Sequence, residues 1–517
     1  MKGGRGLVIL CGRVYHVYMK KYMKKFVKLG LLFSIVFLLS CAYDADATDT
    51  TAGRSCAEKP GRAQMAVSRH FEDIRDNEAK LQYFFQQMPK GGDLHNHLTG
   101  SVYAETYFDI AMREGLWLDT ETFVLYGQAQ SPSCVQLQPG MENEQYLRMR
   151  AIDQWSIRNF DTYDHQLPQD EFFFGTWSSF GAASYQDMAE LLTKLKIRAA
   201  AEHVQYLEIM ATSPRIDGDW ISRHDAENEQ MISLIARRDK DGFAAILSSL
   251  FADWEDDPAM QGAVTAYADI ISDLHEATAT VAPDVSTYYQ AYASRNVKDP
   301  IRVFAQLYVG FKAAAGHENL VAVNIVQAEN GIYSMRDYWG HMRMFAFLKA
   351  EYAPVRTSMH AGELHLGLVP PEQLKSHIHE AVAVAGADRI GHGVSIAFEG
   401  NAPELLAQMA REGIPVEINL TSNEFILGVK DGEHPLLLYH AHGVPIVLST
   451  DDAGILRTNL SQQFVIAALR YPELKYGDFK RFALDSIHYS FMPEEQKESE
   501  LLKLNQSFTI FEESFAP

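Results

Sequence analysis

Two hydrophobic periods alternate along most of this chain. Short runs rich in apolar and β-branched residues predict strands, and longer segments with one apolar face predict helices. The predicted strands, in order, are 93–98, 204–210, 286–293, 320–326, 355–359, 389–390, 416–420 and 444–448. Strands that alternate with helices in this way are typical of a parallel sheet closed into a barrel. The pattern therefore predicts an α/β protein with a (β/α)8 TIM-type barrel.

The helical pattern also predicts elements that a minimal barrel does not need. Helices are predicted over 67–88, 103–115, 143–158, 185–202, 371–385, 403–412 and 434–442. The first of them precedes the first strand, so it is an added N-terminal helix. Residues from about 214 to 284 carry further helical pattern over a stretch longer than a barrel crossover requires, which predicts a helical insertion.

The first 40 residues differ in character from the rest of the chain. They contain eight basic residues and no acidic one, followed by an apolar run over 29–39 and by Cys41. This order predicts a signal peptide over 1–40, and it resembles a bacterial lipoprotein signal in which Cys41 is lipidated. Plain secretion without lipidation is the alternative, and a transmembrane helix is disfavoured because the apolar run is short. Residues 41–66 are small and polar and predict a flexible tether.

Charge and cysteine content restrict the possible partners and the compartment. The net charge is −21 and becomes −29 without the predicted leader, so the chain would repel nucleic acid. A lipid anchor at Cys41 would make it a periplasmic or outer-membrane-anchored lipoprotein. Cys56 and Cys134 could pair in an oxidising compartment, but one bridge is no disulfide framework. The oligomeric state is left open.

Five short polar segments carry most of the candidate chemistry. They cover residues 92–98, 358–363, 389–393, 419–423 and 449–452, and each follows a predicted strand or an apolar run. Because the carboxyl ends of parallel barrel strands meet at one face, side chains in these segments are expected to form one site.

Imidazole and carboxylate groups in these segments predict a metal site. His95 and His97 are two apart on a strand and therefore point to the same face. His360 and Asp451, at the ends of later strands, would add a third nitrogen and an oxygen. Such ligands suit one Zn²⁺ per chain, with iron or cobalt possible on ligand type. A His-x-His pair alone is weak evidence, so the prediction depends on all four residues occurring together.

Other polar residues near these ligands predict hydrolytic chemistry. Glu363 lies on the turn after His360 and could donate a proton. His392, between two glycines, could take a proton from the attacking water or stabilise the hydroxide. Asp452, next to the ligand and catalytic residue Asp451, could bind a substrate nitrogen. These groups suit attack on an electrophilic carbon of a heteroaromatic ring, with loss of an amine.

The same segments resemble the motifs of the adenosine deaminase family. The matching motifs are Pro89-Lys90, His95-x-His97-Leu98, Gly100-Ser101, His360-Ala361-Gly362-Glu363, Arg389-Ile390-Gly391-His392-Gly393, Thr421-Ser422-Asn423 and Ser449-Thr450-Asp451-Asp452. The resemblance covers about 88–460 and implies a barrel with zinc on the four predicted ligands. It also implies that Glu363 protonates purine N1, His392 acts on the attacking water and Asp452 binds purine N7. Residues 67–517 are therefore predicted to form a metal-dependent deaminase barrel.

Two departures from the family pattern affect the sugar side of the site. Thr99 stands where many members have an acid that contacts the ribose, and Gln327 stands where a glycine backbone meets the purine. Both are predicted to bind substrate. The predicted function is zinc-dependent deamination of adenosine and 2′-deoxyadenosine to inosine and ammonia, for purine salvage outside the cytoplasm. The alternatives are deamination of another 6-aminopurine (adenine or a modified nucleoside) and an inactive nucleoside-binding barrel. Secretion and the extra helices are also similar to the growth-factor-like branch of the family.

Overall fold

The protein is described by a computed structural model over residues 61–162 and 167–516. The predicted signal peptide, Cys41, Cys56 and residues 41–60 of the predicted tether lie outside the described residues. Within the described part of the chain, no helix is both long enough and apolar enough to cross a membrane.

Eight parallel strands form the sheet at the centre of the described chain. They are β1 (Gly91–His97), β5 (Val204–Met210), β6 (Ser286–Ser294), β7 (Leu320–Val326), β8 (Arg356–Ala361), β9 (Arg389–His392), β10 (Val416–Ile418) and β11 (Ile446–Leu448), and they neighbour one another in this order. A parallel bridge between Asn96 and Asp451 brings the two outer strands together. The predicted (β/α)8 barrel is thereby confirmed.

Helices connect and surround these strands. In chain order they are α1 (Arg62–Ile74), α2 (Glu78–Gln87), α3 (Leu98–Ser101), α4 (Ala104–Glu114), α5 (Glu144–Gln154), α6 (Gln169–Ser184), α7 (Met188–Ala201), α8 (Gly218–Ser222), α9 (Asp225–Arg237), α10 (Lys240–Glu255), α11 (Pro258–Thr278), α12 (Pro300–Gly316), α13 (Ile332–Glu351), α14 (His377–Ala383), α15 (Ala402–Glu412), α16 (Leu420–Leu427), α17 (Leu436–Ala441), α18 (Leu460–Arg470), α19 (Tyr476–His488) and α20 (Glu494–Glu513). Their apolar faces and the strands share one hydrophobic core.

Several element boundaries differ from those predicted from the sequence. The predicted helix 67–88 is two helices, because the Asn77 side chain accepts a hydrogen bond from the backbone N–H of Lys80 and starts α2 as an N-cap. Helix α1 begins at Arg62, inside the segment predicted as a tether. Strand β10 ends at Ile418, before the predicted end at residue 420, since Asn419 is the N-cap position of α16.

The region between β5 and β6 contains the predicted helical insertion, which comprises α8–α11. Asp217, Asp239 and Asp257 each accept backbone hydrogen bonds at the start of one of these helices. Sequence analysis did not predict a small antiparallel sheet of β2 (Trp117–Asp119), β3 (Leu125–Tyr126) and β4 (Cys134–Gln136), or helix α6. Strands this short carry too few residues for a hydrophobic period to be recognised.

Candidate active site

The four predicted metal ligands meet at the carboxyl end of the barrel, and we call them the metal cluster. His95 and His97 lie on β1, His360 lies on β8, and Asp451 follows β11. His97 Nε2 is 3.2 Å from His360 Nε2 and 3.3 Å from Asp451 Oδ1. His95 Nε2 is 3.5 Å from the same carboxylate oxygen. Residues separated by more than 350 positions therefore direct their donor atoms to one point.

The metal cluster fits a divalent cation. His95 Nε2 is buried and has no hydrogen-bond partner among the described residues. Ring nitrogens of His95 and His360 and an oxygen of Asp451, three of the four members, lie within 4.8 Å of one another. Although burial opposes it, the carboxylates of Asp451 and Glu417 raise the pKa of His95 to about 10. The surroundings thus favour a positive charge at this nitrogen, and a bound metal ion would supply it.

A second set of buried groups orients two of these imidazoles. His95 Nδ1 is 2.7 Å from Glu417 Oε2, and His360 Nδ1 is 3.0 Å from Asn324 Oδ1. Burial opposes ionisation of Glu417, but Arg389 and His95 outweigh burial and lower its pKa to about 2. An oxygen acceptor at Nδ1 requires that nitrogen to carry a proton, so in the neutral ring, the form that binds a metal, the Nε2 lone pair faces the cluster.

Glu363 borders the pocket in front of the metal cluster. The Glu329 carboxylate accepts a hydrogen bond of 2.8 Å from the backbone N–H of Glu363 and so fixes the turn that carries it. Burial, and then the negative charge of Asp451, raises the pKa of Glu363 to about 8. A carboxyl group with that pKa is protonated at neutral pH and can donate a proton.

His392 lies at the end of β9 and is 1% exposed. Its Nε2 faces the pocket, 3.7 Å from Glu363 Oε1 and 3.9 Å from Asp451 Oδ2. Burial lowers the pKa of His392 to about 3, so the ring is neutral. The structure therefore places His392 between the predicted proton donor and the metal cluster.

Asp452 also borders the pocket, beside Gly100. A Cβ atom at Gly100 would lie 1.6 Å from Asp452 Oδ1, so only glycine permits this approach. Burial, and then the charge of Asp451, raises the pKa of Asp452 well above its usual value. Its Oδ1 atom is buried and has no hydrogen-bond partner in the described chain.

Three residues of the site have left-handed backbone conformations. The φ angles are 66° at His392, 57° at Asp451 and 80° at Gln327. Residues other than glycine rarely adopt such angles, and backbone strain of this kind is found at functional sites. At Gln327 the backbone retains the conformation expected of glycine, while the side-chain Oε1 accepts a hydrogen bond from Asn296 N.

The pocket has a volume of about 420 Å³ and five aromatic side chains in its lining. We call these side chains the aromatic wall; they are Phe173, Phe174, Trp177, Tyr185 and Tyr292. Thr99 also borders the pocket, and its Oγ1 accepts a hydrogen bond of 3.1 Å from Trp177 Nε1. Thr99 and Gln327 thus both lie where a substrate could reach them.

The groups behind the metal cluster and the residues of the aromatic wall were not predicted from the sequence. Glu417 could have been found, because an acid between Val416 and Ile418 in a buried strand needs a buried partner. The run Phe172–Phe174 also precedes Trp177 in the sequence, but nothing in its spacing indicates that it reaches the site. Asn324 gives no such signal.

Comparison with known proteins agrees with the fold. Residues 301–506 match the adenosine deaminase family. An adenosine deaminase from Clostridium perfringens is 32% identical over 157 residues, which is 30% of this chain and 43% of that protein. The chain thus spans less than half the length of this curated relative.

Solved structures share the barrel at low sequence identity. An adenine deaminase from Arthrobacter aurescens has a TM-score of 0.53 and 19% identity, covering 81% of this chain and 99% of its own. An amidohydrolase from Burkholderia ambifaria, solved with bound Zn, has a TM-score of 0.51 and 18% identity, covering 90% and 98%. At these identities the likeness demonstrates the fold alone.

Proposed function

We propose that the chain, which matches the adenosine deaminase family over residues 301–506, catalyses zinc-dependent hydrolytic deamination of adenosine to inosine and of 2′-deoxyadenosine to 2′-deoxyinosine, with release of ammonia. The observation that carries the proposal is the convergence of the imidazoles of His95, His97 and His360 and the carboxylate of Asp451 at one end of a pocket that Glu363 also borders. A site that only bound nucleosides would not need a buried proton donor beside a metal cluster.

The metal cluster would hold one zinc ion through His95, His97, His360 and Asp451. When bound, zinc supplies positive charge that lowers the pKa of water to about 7. The chain's own residues would then orient the base and move the protons that the reaction requires.

Glu363 would supply a proton to the purine ring. Addition of water at purine C6 requires a proton at N1, and a protonated carboxyl group at the pocket surface can provide it. The C6–N bond then breaks, and the departing amine needs a proton to leave as ammonia. The raised pKa of Glu363 suits the first of these transfers, because the group is protonated at neutral pH.

Asp452 and the aromatic wall would position the base. A protonated Asp452 can donate a hydrogen bond to purine N7, which a carboxylate could not do. Aromatic side chains bury the faces of a purine and exclude water from the reacting carbon. Thr99 and Gln327 would contact the sugar side and the base edge.

The hydrogen bonding and lack of charge of Thr99 favour a second class of substrate. Its hydroxyl oxygen already accepts from Trp177 and carries no charge, so its hold on a ribose would be weaker than that of an acid. Adenine, which has no ribose, is therefore the alternative 6-aminopurine substrate that this contact favours.

A panel assay tests the proposal directly. Zinc-loaded protein is incubated with adenosine, 2′-deoxyadenosine, adenine and N6-methyladenosine. Loss of the amino group is followed by ultraviolet absorbance and by release of ammonia or, from N6-methyladenosine, of methylamine. We expect adenosine and 2′-deoxyadenosine to react fastest, with about one zinc per chain. Preference for adenine would transfer the assignment to the alternative, and bound zinc without any turnover would favour a binding protein.

We further propose that the reaction serves purine salvage outside the cytoplasm, with the chain anchored by a lipid at Cys41. The basic leader, the apolar run and the cysteine support this location. We expect Cys41→Ser to release the protein from the membrane fraction. Unchanged membrane retention would contradict lipidation, and recovery of unprocessed protein in the cytoplasm would contradict export.

A further inference from the structure

A line of hydrogen bonds runs from the backbone of α17 to the catalytic histidine. The backbone N–H of Leu436 donates to His434 Nδ1 over 3.2 Å. His434 Nε2 lies 3.0 Å from Asn423 Oδ1, and Asn423 Nδ2 lies 2.9 Å from His392 Nδ1. All three side chains are buried, with exposures of 4% or less. We call this line the His434 relay.

The direction of every bond in the His434 relay follows from its first member. A backbone N–H can only donate, so His434 Nδ1 accepts, and a neutral His434 must carry its proton on Nε2. The Nε2 proton needs an acceptor, so the oxygen of the Asn423 amide must face His434, and this fixes the orientation of the amide. The amide NH₂ then faces His392 Nδ1, which must also be an acceptor. His392 accordingly carries its only ring proton on Nε2.

The Nε2 atom of His392 has no hydrogen-bond partner among the described residues, although it is buried. Glu363 and Asp451 are its nearest carboxylates, at 3.7 and 3.9 Å, both beyond hydrogen-bond distance. A buried N–H without a partner is costly, and an oxygen atom in the pocket would satisfy it.

We propose that Asn423 and His434 are positioning residues that hold His392 as the Nε2–H tautomer, so that it donates a hydrogen bond to the attacking oxygen instead of accepting its proton. This inference rests on the proposed function for its catalytic meaning. Of the two roles that sequence analysis left open for His392, it selects stabilisation of the developing hydroxide. It also gives a role to the segment 419–423, which contains Asn423.

The tautomer can be measured without any assay of activity. In zinc-loaded protein with ¹⁵N-labelled histidine, the ring nitrogen shifts distinguish protonated from unprotonated atoms, and a His392→Asn spectrum assigns the His392 signals. We expect a protonated Nε2 and an unprotonated Nδ1. A protonated Nδ1 would overturn the proposal even if the enzyme deaminates adenosine. The predicted tautomer in a protein that turns over no aminopurine would uphold the relay and reject the proposed function.

Asn423→Asp supplies the matching perturbation, since the side chain keeps its shape but presents an acceptor to His392 Nδ1. We expect the proton to move to Nδ1 and kcat to fall on the order of 10² to 10⁴-fold, as a wrong tautomer can cost about 10⁴ in a catalytic triad. KM and zinc content should change little. Unchanged kcat in a variant with the moved proton would overturn the proposal.

The chain offers a matched control and a rescue. Asn401 makes the same amide contact, 3.1 Å to His379 Nδ1, outside the pocket lining in the described chain. Asn401→Asp should leave kcat within about twofold, and an equal loss in both variants would mark the effect as structural. His434→Gln keeps an N–H donor toward Asn423 and should retain more activity than His434→Leu; the reverse order would contradict the relay.

Discussion

The metal cluster and the aromatic wall both contribute to the lining of one pocket and are built in different ways. The metal cluster comes from strands and strand ends, and two of its imidazoles have buried partners at their second nitrogen. The aromatic wall comes largely from α6 and the residue that follows it, and Tyr185 is 53% exposed. The backbone of the barrel therefore fixes the chemistry, whereas added segments determine what fits beside it.

Substitution of Glu363, which lies beside the metal cluster, should have the largest effect on turnover. Glu363→Gln keeps the shape of the side chain but removes the ionisable proton, so we expect kcat to fall by about 10² to 10⁴-fold. Zinc content should stay at that of the wild-type protein, because Glu363 is outside the metal cluster. Steady-state kinetics with adenosine and metal analysis measure both quantities. Near-normal turnover would remove Glu363 from its proton-donating role.

The same contrast explains what could be predicted from the sequence. His95, His97, His360 and Asp451 could be predicted because strand ends of a parallel barrel meet at one face, whatever the distance along the chain. The aromatic wall could not be predicted, because nothing in the local period of α6 states which barrel face it covers. The tautomer of His392 depends on hydrogen bonds that lead through Asn423 to His434, 42 residues further along the chain, so it could be inferred only from the structure.

A change behind the metal cluster should have the next largest effect. Glu417→Gln can place an amide N–H against His95 Nδ1 and weakens the preference for a lone pair at Nε2. We expect zinc affinity to fall about 10 to 100-fold, as is typical when a group behind a metal ligand is changed. Competition with a chelator measures the affinity.

Glu202→Gln is the control for that experiment. Glu202 is another buried carboxylate, and it accepts hydrogen bonds from Ser461 N and Oγ away from the described pocket lining. The zinc affinity of the Glu202→Gln variant should match that of the wild-type protein. Equal losses of zinc in both variants would indicate a general effect on the barrel.

Zinc binding should also depend on pH, in a direction set by His95. With its pKa raised to about 10, His95 is protonated at pH 7 in protein stripped of metal. Zinc must displace that proton, so its affinity should rise by about tenfold per pH unit between pH 6 and 8. Calorimetry in buffers of different ionisation enthalpy should show release of about one proton. A zinc affinity that does not change with pH would show that no proton competes with the metal for His95.

The smallest effect is expected in the aromatic wall. Trp177→Phe removes the N–H that occupies Thr99 Oγ1 but keeps an aromatic face toward the pocket. The change alters substrate fit without touching the metal cluster, so KM should change a few-fold while kcat stays within about twofold. Trp155→Phe is the control, because Trp155 Nε1 bonds the backbone of Phe123 outside the described pocket lining. A fall in kcat at constant KM in Trp177→Phe, but not in Trp155→Phe, would contradict this prediction. It would show that the aromatic wall takes part in the chemical step as well as in substrate fit.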